Sequence, residues 1–302
     1  MSRNDAEAPP ALDPTSADVL ARARRDVQQR RVSHAHASAQ QQRPWAWAAL
    51  MLSLLAIASL MLWPSGTLPT RLHALMRGVC DQVNNLPYNA PPLPLDARCT
   101  GIYAGLLATL GYLLVLGRGH AAKLPSRPIV GLAVAAVVML AIDGLNSLFS
   151  QLGVYMYPPQ TVLRLATGLG MGAALAVLGL PLLNAGLRAD ADRDQPSVQR
   201  WRELSGVVLL NIIIGALAWM APKWLYYPLA LLSVAGMVSV LALVNMGAVL
   251  LVSRRLGQVC FVGQLARPAT FAVMCTIVEL VLLGWARDVR AQASVTGQSW
   301  FF

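Results

Sequence analysis

Charge is scarce in this chain: Asp, Glu, Lys and Arg together make up 13% of its 302 residues, whereas hydrophobic residues make up 56%. A composition so poor in charge excludes an ordinary soluble domain. Acidic residues are the rarer sign, 14 against 24 Lys and Arg, which leaves a net charge of +10. The arginines are dispersed among connections between apolar stretches and form no single basic face, so the excess points to membrane topology and away from nucleic acid. Catalytic signatures are lacking too: no Ser-His-Asp set, His-Glu-x-x-His motif or haem-attachment motif stands in the sequence. Enzymatic activity therefore has no motif to carry it.

Seven apolar stretches remain, each near the roughly 20 residues that a spanning helix needs. They cover 45–63, 100–117, 129–148, 164–187, 204–221, 227–252 and 268–286. The expected fold is an all-α polytopic transmembrane bundle over 45–287, with a polar cytoplasmic tail at 1–44 and a C-terminal tail at 288–302. A polar start of this length is unlike a cleaved signal peptide, so the first span is expected to stay. Residues 1–14 read as disordered. Thr15-Ser16-Ala17-Asp18 opens a helical pattern through Arg31 that suits either an anionic inner leaflet or a solvated tail.

Arg and Lys crowd the connections before the first span and after the second, fourth and sixth, whereas 149–163 contains neither. By the positive-inside rule the N-terminus is cytoplasmic in a cell membrane and the C-terminus extracytoplasmic. Arg71, Arg77, Arg98, Arg287 and Arg290 are exceptions on the outer side. Trp45, Trp47 and Trp63 mark the borders of the first span, and Pro64 ends it. Thr70–Arg77 has the spacing of an interfacial helix, and Pro87, Pro91, Pro92 and Pro94 stiffen the loop that follows.

Gly101 and Gly105, and Gly168 and Gly172, have small-xxx-small spacing, a packing signal that also offers faces to a membrane-protein partner. The run Gly168-Leu169-Gly170-Met171-Gly172 lies inside a span with no preceding strand, which excludes a nucleotide site. Asn211 and Asn245 suit interhelical hydrogen bonds. Glu279, an intramembrane carboxylate, needs a cation or a proton. Asp143 lies about four residues, or ~6 Å, from the outer end of its helix, and Arg164 opens the next one on that side. The two are expected to pair, as a structural bridge or facing a substrate.

The outer side also gathers Cys80, Asp81 and Gln82, then Asp96, Arg98, Cys99 and Tyr103, together with Asn146, Tyr155 and Tyr157. Cys80 and Cys99 suit a disulfide, free thiols or a metal. Cys260, in a cytoplasmic loop, and Cys275, within the last span, stand apart.

In these residues the chain resembles a family of bacterial and archaeal multi-pass membrane proteins classified as a domain of unknown function. Its signature is Cys-His-Gln, then Cys-x-Arg-Cys-x-Gly-x-Tyr at a helix start, and later Asp-Gly and Arg-x-x-Thr-Gly. The matching positions are Cys80, Gln82, Arg98, Cys99, Gly101, Tyr103, Asp143, Gly144, Arg164, Thr167 and Gly168, within 70–175. Asp81 replaces the histidine and Asp96 the first cysteine of the second motif. A three-Cys, one-His set suits zinc; two Cys and two Asp suit it less, although carboxylates do bind zinc, and the substitutions also fit a site that has exchanged metal for a disulfide.

Three functional classes follow from these readings. In the first, an outward-facing polar site binds a metal ion or a polar lipid or solute headgroup, with Asp143 as acid, base or counter-ion and Arg98 and Arg164 as anion contacts. The second is an ion- or proton-coupled transporter using Asp143 and Glu279, against which stands the absence of an inverted repeat. The third is an assembly or scaffolding subunit.

Overall fold

The computed structural model describes residues 40–62, 66–86, 88, 92–254, 257, 259 and 262–296, with Val19, Arg22, Ala23, Asp26, Ser33 and Ala37 before them. The Thr15–Arg31 helix pattern lies almost wholly outside the described residues, as do Trp63, Pro64, Pro87, Pro91 and Cys260.

Eight α-helices make up the described chain: α1 (Arg43–Leu62), α2 (Leu68–Met76), α3 (Ala97–Val115), α4 (Arg127–Ser150), α5 (Thr161–Leu187), α6 (Trp201–Met220), α7 (Tyr226–Val252) and α8 (Ala266–Thr296). All but α2 are long and apolar enough to cross a membrane, so the protein is an all-α polytopic bundle. The short α2 is the helix expected before Cys80, started by Pro69 in its first turn. Ala221, in the left-handed conformation with φ 48°, stops α6 ahead of Pro222. The apolar run of the last span ends at Trp285–Ala286, yet α8 continues to Thr296. Its Ala-, Arg- and Gln-containing end favours helix, and Asp288 pairs there with Arg77.

The helices α3 and α5 form the centre and are the most extensively packed pair. Glycine permits it: a Cβ on Gly101 would lie 2.6 Å from the Leu165 carbonyl oxygen, and one on Gly172 would lie 2.6 Å from the Leu106 nitrogen. The glycine faces that promised a surface for a partner are thus occupied by the chain's own helices. On the other side of α3, Gly236 admits Tyr103 against α7. Asn211 donates to Thr109 Oγ1 at 3.0 Å, the interhelical role expected of it.

At one end of the bundle, β1 (Ala121–Lys123) pairs in parallel with β2 (Asp192–Pro196), Ala121 opposite Asp192. Neither segment has a strand-like pattern. The sheet is set by its surroundings, since Asn184 donates to the Gly119 and Ala121 carbonyls at 3.0 and 2.8 Å. Just beyond β2, Ser197 donates to the Val177 carbonyl at 2.6 Å. That carbonyl lacks its helical partner because Pro181, four residues on, has no N–H. The opposite end carries α2, the loop to Asp96 and the 151–160 connection. It is called the loop end below.

Candidate functional site

The start of α3 organises the loop end. Asp96 caps the helix, its Oδ1 accepting from Cys99 N at 2.7 Å. Its own N–H points to Cys80 Sγ at 3.3 Å. One ligand atom each from Cys80, Asp96 and Cys99 lies within 4.8 Å of the others. Cys80 is buried, and both cysteines are free thiols. A hydrogen bond from the Cys99 thiol pulls the Cys80 thiol below its ordinary range, outweighing burial and the nearby Asp96 carboxylate, which push it up. Tyr103, one turn further along α3, packs in the apolar cluster that encloses Cys80.

Cys80 owes its position to residues that sequence reasoning left unassigned. Arg287 on α8 donates to the Cys80 carbonyl at 2.6 Å and to the Asp81 carbonyl at 3.1 Å, and it also reaches the Arg77 carbonyl. Gly78 packs against the α8 backbone so tightly that a Cβ would lie 2.5 Å from Gly284 N. Gln82 has a positive φ of 58°, and its amide donates to the His73 and Pro94 carbonyls at 2.8 and 2.7 Å. These two bonds staple the loop to α2 and to the segment before α3. Asp81 is exposed and outside the thiol cluster. A Gln after a Cys-Asp pair gives no sign in the sequence of such a staple.

The expected pairing of Asp143 with Arg164 is corrected by the structure, because the partner of Asp143 is Arg98. Its Nη2 lies 2.5 Å from Asp143 Oδ2 and 2.8 Å from Ser147 Oγ. Position explains the exchange: Arg98, in the first turn of α3, reaches across to α4, while Asp143 is only 1% exposed and needs its cation close. Tyr157 donates to the other carboxylate oxygen at 3.1 Å. Burial first, and then this hydrogen bond to a carboxylate, raise the Tyr157 phenol above its ordinary range, so it stays a donor at neutral pH. Asn146 holds the loop of Tyr157 in place, donating to its carbonyl at 3.0 Å and accepting from Met156 N at 2.8 Å. Arg164 is buried nearby on α5. Tyr155 is exposed and outside the cluster.

Glu279 belongs elsewhere, at the contact of α7 and α8. Asn245 donates to it at 2.8 Å and to Thr276 at 3.1 Å. The eight-residue step from Glu279 to Arg287 puts it about 12 Å down α8 from the loop end. Cys275, also on α8, is a free and exposed thiol, apart from the other two as expected.

No curated protein and no solved structure matches the chain. The segment from Cys80 into α5, which supplies both thiols, Asp96, Arg98, Asp143 and Arg164, matches at residues 80–178 a family described as a predicted membrane protein (DUF2085).

Proposed function

We propose that this protein binds a divalent transition metal at the extracytoplasmic border of the membrane, through Cys80, Asp96 and Cys99. The observation that carries the reading is the meeting of three ligand atoms within 4.8 Å, drawn from two segments and fixed by a helix cap. Two sulfurs and a carboxylate oxygen suit zinc, and three protein donors leave the fourth tetrahedral position for water or a substrate. Asp96 Oδ1 is engaged by Cys99 N, which orients the carboxylate and leaves its second oxygen for the metal. The backbone N–H on Cys80 Sγ supports a thiolate, as outer-shell donors do around bound metals. The alternation of Arg-rich connections supports an outward orientation.

The test is elemental analysis of protein purified without reductant, combined with thiol counting and mass spectrometry of a non-reduced digest. Near one equivalent of metal is expected, lost in Cys99→Ala and in Asp96→Ala, with alkylation of Cys80 and Cys99 rising after chelation. A linked Cys80–Cys99 peptide, or two freely alkylated thiols without metal, would overturn the reading.

A further inference from the structure

The polar cluster around Asp143 does not balance its own charge. Two guanidinium groups, Arg98 and Arg164, stand around Tyr157 with Asp143, whose carboxylate is already committed; the Asp96 carboxylate at the start of α3 is taken up in capping the helix beside the thiols. One oxygen of Asp143 takes Arg98 Nη2 and the other takes the Tyr157 hydroxyl. Arg164 is 9% exposed, and its guanidinium has no hydrogen bond or ion pair among the described residues. Arg98 Nε, for its part, is fully buried without a partner. A cation so enclosed needs an opposite charge beside it, and a guanidinium presents the paired donors that fit a phosphate.

The lid of this cluster indicates where the phosphate comes from. The 151–160 connection is tied down at Met156 and Tyr157 by Asn146, yet Leu152, Val154, Tyr155 and Met156 project outward, Met156 with 84% of its surface exposed. The connection contains no Lys or Arg. Apolar and aromatic side chains on an uncharged loop at the end of spanning helices suit the headgroup layer better than bulk water. We propose that Arg164, aided by the unused donors of Arg98, binds the phosphate of an anionic membrane phospholipid whose headgroup enters beneath the 151–160 loop. Arg164 is the specificity contact, since a lipid with its own cation brings no net charge to neutralise it.

The experiment uses the full chain in neutral detergent, with thermal unfolding followed while phosphatidylglycerol, phosphatidylcholine or inorganic phosphate is added, in each case with and without a chelator. Phosphatidylglycerol is expected to raise the midpoint by roughly 3–6 °C at saturation, whether or not metal is present, so the result is separate from that of the thiol site. Arg164→Gln should lose this shift and Arg164→Lys should retain part of it. Should Arg164→Gln fail to fold, the lysine variant and native mass spectrometry of the wild-type chain with bound lipid take its place. An equal shift with phosphatidylcholine, or an intact shift in Arg164→Gln, would overturn the proposal. A shift with inorganic phosphate matching that with phosphatidylglycerol would overturn the lipid assignment.

Discussion

Asp143 is the residue on which the loop end depends most, because it is almost fully enclosed and its carboxylate faces both Arg98 and Tyr157. Asp143→Asn leaves Arg98 without its anion, and removing one partner of a buried pair costs about 3–5 kcal/mol. Arg98→Gln should cost a similar amount by stranding the carboxylate. The double variant should lose clearly less than the sum, which a double-mutant cycle of thermal stability in detergent can read. The corresponding cycle for Asp143 with Arg164→Gln should be close to additive. Strong coupling in the second cycle and none in the first would reverse the assignment of partners. At this scale the sequence disclosed the participants but not their pairing. Depth along consecutive helices brings Asp143 and Arg164 to one level, whereas the choice of Arg98 depends on how α3 and α4 face one another, which one-dimensional spacing does not contain.

Among the helices, the contact of α3 with α5 rests on absent side chains. A Cβ at Gly172 would fall on the Ile102 carbonyl oxygen, while one at Gly179 on the same helix meets nothing within 4 Å. Gly172→Val should therefore destabilise by at least roughly 1–3 kcal/mol, the usual range for overpacking, and Gly179→Ala should be close to neutral. Unfolding of both variants in detergent checks the contrast, and equal losses would contradict the packing. Helix existence was readable because spans advertise themselves by apolar length; Gly101/Gly105 and Gly168/Gly172 were readable as packing faces by their spacing. The β1–β2 pair was not, since Ala121–Lys123 and Asp192–Pro196 have no alternation and owe their pairing to Asn184 and to the geometry of the flanking helices. The end of α8 was hidden for a related reason, because hydropathy marks the edge of lipid and not the edge of a helix.

Across the whole molecule, the arginines at the loop end explain why the charge rule is imperfect there. Arg71 donates to the Leu60 and Met61 carbonyls at the open end of α1. Arg77 pairs with Asp288, Arg98 with Asp143, and Arg287 holds the loop carbonyls. Each of these four has work inside the fold, which leaves Arg290 as the one exception with no such role among the described residues to weigh against an outer location for that end. Single cysteines test this directly: with an impermeant maleimide on intact cells, Met156→Cys should label above the wild-type background, and Arg193→Cys only after permeabilisation. The opposite pattern would invert the topology. The grip of Arg287 on residues 77–81 also has a consequence in time. The cysteine-bearing loop emerges from the ribosome well before α8, which carries the side chain that fastens it. Until α8 inserts, Cys80 lacks the Arg287 bonds to its backbone, and the Gln82 staple and the Asp96 N–H hold the loop while the preceding spans enter the bilayer. Insertion of α8 therefore adds the contacts that complete this corner of the protein.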